Sequence, residues 1–515
     1  MDATVRSAEE LRNRREGIGL AFFWLLVLAY GFFVPSIISW NTESHLYAAF
    51  SMVDHASVNI DSYQRGLGDK SYFHGHYYSD KAPGLAFLAA PVYALLRTAL
   101  GVRGQGFLLY KHKAGYYYLP PKIAYLRYGI TYLLVSLPSA ALAVLMWLFF
   151  MRLSSGTAWS ILLAGTYALG TTAFVFSIWY FSHQICAVLL FSAFLLLFYR
   201  VRYKPPDRRV LWTTAVAGLL CGVSIISEYP TVVIAGLLGI YLLAVARDRK
   251  RTVAVFLAGM APPAALNIFY NVAAFGQPFA IGYMHVHSAW YNINIHGGAL
   301  GLASPLSYGI QAPTLDSIYQ ITFGTFRGIF ILCPVLLLFF AGIFFMWRRQ
   351  DLRPEWWLCV AIVLLYFVMD AARGADANGW SGGASVASRH LVPMLPFMMV
   401  PMLFGFSSRR FRIAFVALAA VSVAIMFMTV SSTYPFQITD RNPLFNEVFA
   451  SFFHGHIEQN WVFLWFGGSA TGFVSLLPFL AVVLALIARI LWLLRPPPDQ
   501  SGAAEARSAK LEASS

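Results

Sequence analysis

The chain has 515 residues, of which 58% are hydrophobic and 12% are charged, and its mean hydropathy is +0.62. Soluble globular proteins carry about 25% charged residues, so this composition excludes an ordinary soluble domain and indicates a polytopic membrane protein. The formal net charge is +14, but most of the excess Lys and Arg lies in short connections, where it fixes membrane topology, so we predict no nucleic-acid binding.

Apolar segments long enough to cross a bilayer recur along the whole sequence. The first of them, residues 18–38, is too long for the apolar region of a signal peptide and has no small-residue cleavage site. We therefore expect it to be a signal anchor. The predicted spans are residues 18–39, 123–151, 157–177, 182–200, 210–227, 231–246, 252–273, 326–347, 356–372, 390–406, 411–431 and 471–494.

The segment 83–100 is ambiguous, because at about 1.5 Å per residue it just reaches across the hydrocarbon of a bilayer. The positive-inside rule resolves the ambiguity: if 83–100 does not span, all the short basic connections lie on one side of the membrane. We therefore expect 83–100 to lie along the outer interface. The basic connections are at Arg6/Arg12/Arg14/Arg15, 200–209, 247–251, 348–353, 409–412 and Arg495.

These patterns predict an all-α polytopic integral membrane protein with about twelve transmembrane helices, both termini being inside the cell. Residues 1–17 are expected to form a cytoplasmic tail, and residues 495–515 a disordered cytoplasmic tail. The transmembrane domain is predicted over residues 18–494. Its outer loops are predicted at residues 40–122, 274–325, 373–389 and 432–470, and the large first loop carries interfacial helices.

The polar chemistry falls on the predicted outer face, which holds all twelve histidines. In the first loop, NTESHLYAAFSMVDH over residues 41–55 has helical spacing, with Leu46, Ala49, Phe50 and Val53 on one face. We therefore expect a helix that lies on the membrane. Glu43 is in its first turn, where the helix dipole favours an acid, so a structural role and a catalytic role both remain open.

The segment Tyr77 to Gly84 reads YYSDKAPG and also allows two interpretations. Asp80 and Lys81 form either an ordinary exposed ion pair or a site where Lys81, oriented by Asp80, binds an anion at the bilayer surface. The helix that starts after Pro83 would add free N–H groups suited to phosphate. Arg103 belongs to a basic, aromatic stretch on the same side, which is either a lipid-phosphate site or a solvated loop.

TESHLYAA followed about forty residues later by YYSDKAPG resembles the outer first loop of GT-C class membrane glycosyltransferases. Within that class it is most similar to the protein O-mannosyltransferase and aminoarabinose-transferase group. YNVAAFGQPFAIGY (270–283), TFRGIFILCP (325–334) and WSGGASVASRHLVPMLP (380–396) fit the same pattern. The resemblance implies an inverting enzyme at the outer face of the bacterial cytoplasmic (inner) membrane. It would move a sugar from a polyprenyl-phosphate donor to a glycan, lipid or protein acceptor of the cell envelope.

The resemblance also implies roles for individual residues. Glu43 matches the second acid of the family's Asp-Glu pair, with Thr42 in place of the first acid, so Asp61 and Asp69 are further candidates for the base. Asp80 and Lys81 match the acid-Lys turn, and His45 stands where the family has an arginine. The predicted catalytic acids are therefore Glu43, Asp80, Asp61 and Asp69. The predicted phosphate ligands are Lys81, His45, Arg103, Arg327 and Arg389, and the predicted substrate contacts are Tyr78 and Trp380.

A divalent metal is not required by these patterns, but three His-x-His pairs offer ligands: His74/His76, His285/His287 and His454/His456. Histidines two residues apart present both rings together only on an extended strand, and wet aromatic loops also collect histidines. Magnesium or manganese on carboxylates and zinc on histidines remain alternatives. Glu228 and Asp370 lie near predicted outer helix ends, where we expect each to reach water.

Two other classes of function remain open. A lipid or glycan flippase would show broken helices, charged pairs at mid-membrane and related halves; of these, the sequence has only the Pro262-Pro263 break. A non-catalytic envelope assembly protein of the same fold is consistent with Thr42 in place of the first acid.

Overall fold

Regular structure in the described part of the chain is helical, with a single two-stranded hairpin, which confirms the all-α fold class. The computed structural model describes residues 3–35, 39–106, 121–154, 156–286, 312–373, 379–383, 385–432, 442–457, 460–466 and 472–495. The predicted C-terminal tail from residue 496 onward, and parts of every predicted outer loop, lie outside these ranges.

The helices and strands follow one another along the chain with short connections. The first are α1 (Ala3–Phe32), α2 (Trp40–Asp54), β1 (Lys70–Phe73), β2 (His76–Ser79), α3 (Gly84–Leu100), α4 (Pro121–Thr131), α5 (Leu137–Leu153), α6 (Thr157–Gly170) and α7 (Ala173–Ser177). The middle of the chain contains α8 (Ser182–Leu196), α9 (Arg208–Ser227), α10 (Val232–Val245), α11 (Arg249–Phe275), α12 (Leu315–Thr322), α13 (Ile329–Leu332) and α14 (Leu338–Trp347). The last are α15 (Arg353–Ala371), α16 (Leu395–Gly405), α17 (Arg409–Ser431), α18 (Ala450–Phe453), α19 (Trp461–Phe466) and α20 (Leu477–Leu494).

Eight helical stretches within the described residues are long and apolar enough to cross a membrane, and they coincide with eight of the predicted spans. They are Arg12–Phe32, Lys122–Leu153, Ser182–Val201, Arg208–Ser227, Arg249–Phe275, Gln350–Ala371, Arg409–Ser431 and Gly472–Leu494. The other predicted spans contain shorter or interrupted helices. In 326–347, for example, α13 ends at Leu332 and a 3-10 turn begins at Pro334, whose backbone nitrogen has no hydrogen to continue the α-helical hydrogen bonds. The count of about twelve therefore stays a prediction.

The short basic connections meet at one end of the helix bundle, which we call the basic end. Arg14 donates to the carbonyl oxygen of Arg495 at 2.5 Å, which joins α1 to the end of α20. Arg202, which follows α8, pairs with Glu355 at the start of α15, with 2.8 Å between Nε and Oε1. At the opposite end, which we call the site end, α8 begins and α9 and α15 end.

Small residues allow α9 and α11 to pack backbone against backbone. A Cβ added to Gly218 would lie 2.0 Å from the carbonyl oxygen of Phe256, and one added to Gly259 would lie 2.1 Å from that of Ala215. Close approach through glycines is a common way for helices to associate in membranes, where burial of apolar surface gives no driving force between them.

The first loop is built from α2, the β1–β2 hairpin and α3. The predicted helix at 41–55 is present as α2, but its apolar face does not remain open to the membrane. Leu46, Ala49 and Phe50 are fully buried, and the Phe50 ring centroid is 4.4 Å from that of Tyr93 in α3. The apolar face of α2 was expected to pack against lipid, but it packs against α3 instead.

Gly84, the first residue of α3, touches the end of α9. A Cβ at Gly84 would lie 2.4 Å from the hydroxyl oxygen of Ser227 and 2.6 Å from its backbone nitrogen, so a side chain cannot fit. Ser227 directly precedes Glu228. The contact therefore holds the turn that contains Asp80 and Lys81 near Glu228.

Substitution of Gly84 tests this contact. We expect Gly84→Ala to destabilise the protein by about 1–3 kcal/mol, because the added methyl group must push α3 away from α9. Gly236→Ala is the matched control: a Cβ there meets nothing within 4 Å, and alanine in a helix is favoured over glycine. Thermal unfolding of the purified protein in detergent measures both. Equal unfolding midpoints for the two variants would contradict the close approach.

Candidate functional site

Lys81 lies buried between two carboxylates at the site end of the bundle. Its side chain is 6% exposed, and Nζ is 2.9 Å from Oδ2 of Asp69 and 2.9 Å from Oδ2 of Asp80. The Ser44 hydroxyl donates to the other oxygen of Asp80 at 3.1 Å. The Asp80–Lys81 pair is therefore not the ordinary exposed ion pair that the sequence allowed, because α2, the hairpin and the following turn enclose it.

Burial raises the pKa of Asp80, since the charged carboxylate loses water. The adjacent Lys81 opposes this shift, whereas the negative charge of Asp69 adds to it. The three side chains form one electrostatic unit, in which Lys81 favours the ionised form of the Asp80 carboxyl.

Glu43 is buried in the first turn of α2 and is paired with Arg127 of α4. Oε2 of Glu43 is 2.5 Å from Nη2 of Arg127, which also donates to the carbonyl oxygen of Gln105 at 3.3 Å. Burial raises the pKa of Glu43, and Arg127 partly offsets the shift. Sequence reasoning assigned no role to Arg127, although a cation within an apolar span calls for a partner.

His45 lies in α2 next to Ser44, which contacts Asp80. It is 2% exposed, and its Nδ1 has no hydrogen-bond partner within the described residues. Burial lowers the pKa of His45 to about 3, with smaller effects from Lys81, His183 and Arg389 and an opposing one from Glu228. His45 is therefore neutral at physiological pH and would meet a phosphate as a hydrogen-bonding group rather than as a cation.

His183, Glu228 and His390 form a second group beside His45. His183 Nε2 is 3.2 Å from His390 Nδ1 and 3.6 Å from Glu228 Oε2, and the Ser182 hydroxyl donates to Glu228 at 2.7 Å. The sequence did not single out either histidine. The expectation that Glu228 simply reaches water is wrong, because its side chain is 15% exposed and held by Ser182.

The expectation that Asp370 reaches water is also wrong. Asp370, one residue before the end of α15, has no exposed surface, and neither of its oxygens is hydrogen-bonded within the described residues. The Ser388 hydroxyl is its neighbour but misses hydrogen-bond geometry, and Arg373 and Arg389 are its electrostatic neighbours.

Arg389 and Arg327 differ in their surroundings. Arg389 has a buried Nε without a hydrogen-bond partner in the described part of the chain, and its guanidinium lies 5.3 Å from the ring centroid of Phe181. Arg327 is fully buried and donates to the carbonyl oxygens of Ser381 (3.2 Å) and Gly383 (2.8 Å). It does not extend to an interface, and it holds the loop that leads to Arg389.

Trp380 and Tyr78, the predicted substrate contacts, are both packed into protein. Trp380 is 2% exposed and meets Phe326 edge-on, with 6.2 Å between ring centroids. Tyr78 is 7% exposed, and its ring centroid is 5.2 Å from that of Phe275. Both support the walls of the site, and neither presents an open ring.

Asp61 and Arg103 lie apart from the charged group around Lys81. Asp61 is held in the hairpin, where it accepts from the backbone N–H of Tyr77 at 2.7 Å and pairs with His76 at 2.7 Å. The side chain of Arg103 is exposed. Out of the residues that the sequence proposed, the structure joins Asp69, Asp80 and Lys81 directly and places Glu43 in a separate pair with Arg127.

The described His-x-His residues do not form a metal cluster. His76 is taken up by Asp61, His285 stacks on Phe275 at 5.0 Å, and the rings of His454 and His456 are 6.3 Å apart. His287 lies outside the described residues. Within those residues, the group with metal-ligating atoms close together is His183, Glu228 and His390. These three residues are far apart in the sequence, so no short motif reveals them.

The chain is similar in overall fold to two membrane proteins of known structure. ArnT from Cupriavidus metallidurans bound to undecaprenyl phosphate has a TM-score of 0.44 at 14% identity, over 96% of this chain and 73% of that one. The archaeal oligosaccharyltransferase AglB from Archaeoglobus fulgidus, in complex with an inhibitory peptide and a dolichol-phosphate, has a TM-score of 0.45 at 15% identity. That match covers 81% of this chain and 56% of AglB.

No protein-family model and no curated protein sequence matches the chain. The structural similarities concern the fold alone, and residue roles in this chain rest on its own geometry.

The buried pair of Glu43 and Arg127 makes a measurable prediction. We expect Arg127→Gln to destabilise the protein by about 3–5 kcal/mol, because it leaves the Glu43 carboxylate buried without its partner. The double variant Glu43→Gln/Arg127→Gln should recover part of that loss, since neither charge then remains. Unfolding of the four proteins in one detergent measures the coupling.

The control is the exposed pair of Arg12 and Glu16, which are 3.7 Å apart and each 70% exposed in the side chain. The same cycle there should give little coupling, because water screens the two charges. Strictly additive effects of Glu43→Gln and Arg127→Gln would contradict the proposed buried pair.

Proposed function

We propose that the chain is an inverting glycosyltransferase that moves a sugar from a polyprenyl-phosphate donor to a cell-envelope acceptor. The observation that carries the proposal is Lys81, which is buried at the site end of an apolar bundle and held 2.9 Å from both Asp69 and Asp80. A lipid-linked phosphate would reach such a site with its tail in the bilayer and its charge among fixed cations.

The reaction requires a nucleophile, a base and a stabilised leaving group. The acceptor hydroxyl oxygen attacks the anomeric carbon, a carboxylate takes the hydroxyl proton, and the bond between the sugar and the phosphate oxygen breaks with its electron pair on the phosphate. Negative charge grows on the leaving phosphate. One cation about 4 Å away, at an effective dielectric near 20, contributes about 4 kcal/mol. If that interaction develops mainly in the transition state, it corresponds to about a thousandfold in rate.

Among the four predicted acids, we assign the base to Asp69. Its side chain is 20% exposed, against 1% for Asp80 and 2% for Glu43, so an acceptor can approach it. Asp61 is more exposed, at 39%, but it is bound to Tyr77 and His76 and makes no contact with Lys81 in the described residues. Asp80 would position Lys81, and Glu43 would fix α2 through Arg127. The family's first acid is absent at Thr42, but Glu43 does not have to replace it as the base. Asp69, which directly precedes the hairpin, takes that role.

Arg389 and Lys81 are the proposed phosphate ligands. Arg389 contributes a buried Nε with no hydrogen-bond partner in the described part of the chain. Lys81 contributes a positive charge, and the carboxylates of Asp69 and Asp80 hold it in position. Undecaprenyl phosphate and dolichol-phosphate are present in the two structures of similar fold. We propose the same class of lipid phosphate here, on the grounds of these residues.

We further propose that the site end faces outward from the bacterial cytoplasmic membrane and that both termini are cytoplasmic. The support is the grouping of Arg14, Arg202 and Arg495 at the basic end, since cytoplasmic loops are enriched in Lys and Arg.

Release of the lipid phosphate tests the proposal. Purified protein is offered a panel of polyprenyl-phosphate hexoses and pentoses, and the free polyprenyl phosphate is measured with and without acceptor glycan. We expect Lys81→Gln to lower the rate by about a hundredfold to a thousandfold, as loss of a charge-stabilising group does elsewhere. Asp69→Asn should lower the rate while donor binding persists.

The matched control is Lys70→Gln, which removes a cation from the same loop. Lys70 donates to the side-chain oxygen of Gln64 at 2.7 Å and lies outside the Lys81 network, so the rate should stay near that of the unchanged protein. If the unchanged protein releases no lipid phosphate but moves the lipid across liposomes in a Lys81-dependent way, the transferase proposal is wrong and the flippase alternative holds.

A further inference from the structure

We propose that His183, Glu228 and His390 bind one divalent transition-metal ion, with zinc as the preferred ion. One ligand atom from each residue lies within 4.8 Å of the others. Two of the separations are 3.2 Å, from His183 Nε2 to His390 Nδ1, and 3.6 Å, from His183 Nε2 to Glu228 Oε2. Zinc with bonds of about 2.1 Å and tetrahedral angles places its ligand atoms ~3.4 Å apart.

The neighbouring Ser182 orients two of these ligands. Its hydroxyl donates to Glu228 Oε2 at 2.7 Å and lies 3.4 Å from Nδ1 of His183. Because the Ser182 hydroxyl donates its hydrogen bond to Glu228, its oxygen can only accept from His183, so Nδ1 of His183 carries the hydrogen. The free lone pair of His183 is therefore on Nε2. A metal-ligating histidine characteristically has its second nitrogen fixed in this way.

The three ligands come from three elements that pack together at the site end. His183 is in the first turn of α8, Glu228 follows the last residue of α9, and His390 is in the 3-10 turn Arg389–Met394. Gly84 adds a further restraint, because α3 abuts Ser227 directly before Glu228. A site held by packed elements keeps its ligand atoms in place before the ion arrives.

The charges around the cluster are compatible with an added cation. Lys81, Arg373 and Arg389 are its positive neighbours. Lys81 is already paired with Asp69 and Asp80, and Arg373 and Arg389 both act on Asp370. Asp69 and Asp80 therefore neutralise Lys81, and Glu228 would itself supply a negative charge at the ion.

The ligand set selects the kind of metal. Two imidazoles with one carboxylate suit zinc, whereas magnesium and calcium prefer all-oxygen sets. Three protein ligands leave one tetrahedral position open, as in catalytic zinc sites, where water or a substrate oxygen completes the coordination. The inference concerns binding of the ion and does not rest on the proposed transferase function.

Without a metal, the 3.2 Å contact would be an ordinary N–H···N hydrogen bond between two neutral imidazoles. The two alternatives differ in metal content. The full chain is purified, stripped with a chelator and dialysed, and Zn²⁺ or Mg²⁺ alone is then titrated by calorimetry, with bound metal counted by mass spectrometry. We expect about one Zn²⁺ per chain and no saturable binding of Mg²⁺.

Glu228→Gln and His390→Gln should each lower bound Zn²⁺ from about one to near zero. The matched control is the double variant His454→Gln/His456→Gln, which removes an exposed histidine pair and should retain the full stoichiometry. Because ligand variants could also misfold, Zn²⁺ should in addition raise the thermal unfolding midpoint of the unchanged stripped protein. Full Zn²⁺ binding by folded Glu228→Gln, loss of binding in the control, or no binding by the unchanged protein would each overturn the proposal.

Discussion

The ion network of Lys81 is the interaction on which the arrangement of the first loop depends. A lysine ammonium that is 6% exposed is unfavourable without opposite charge, and here Asp69 and Asp80 both supply it. Asp69 precedes β1 and Asp80 follows β2, so one ammonium joins the two ends of the hairpin. Ser44 extends the network to α2. Buried ion pairs contribute little net stability, but removal of one partner strongly destabilises the protein. The positions of Lys81 and its two carboxylates are therefore hard to change.

The apolar bundle separates two charged regions with different characters. At the basic end, Glu355 accepts from Tyr241 at 2.7 Å and pairs with Arg202, which joins three helical segments. At the site end, buried polar atoms of His45, Asp370 and Arg389 lack hydrogen-bond partners within the described residues. Unsatisfied buried groups are costly, so a protein retains them where a ligand or ion completes the set.

The sequence predicted features that depend on local pattern. Hydropathy located eight spans that the structure also has, because a bilayer-crossing helix needs a long continuous apolar run. The motif around Asp80 and Lys81 and the helix that carries Glu43 were also found, since each is a short contiguous stretch. The interruptions before Pro334 and within 390–406 were missed, because apolar composition alone does not report breaks in a helix.

The rest of the site could not be read from the sequence, because its members meet only after folding. Arg127 is 84 residues from Glu43 along the chain, and His183 is 207 residues from His390. The first pair forms because α4 packs near α2. The second forms because the start of α8 meets the 3-10 turn before α16. The histidine spacing that did attract notice, His-x-His, is a local pattern, and its described members are occupied by aromatic and hydrogen-bond contacts.

The π-helical stretch Tyr132–Ser136 between α4 and α5 has a consequence for the register of this long helix. A π turn accommodates an extra residue in an otherwise continuous helix. At 3.6 residues per turn, deletion of one residue there would rotate α4 by about 100° relative to α5. Arg127 would then swing away from Glu43, while α5 kept its packing. The π-helical stretch thus sets the rotation of Arg127 relative to α5, and a one-residue change in its length would break the contact between Arg127 and Glu43.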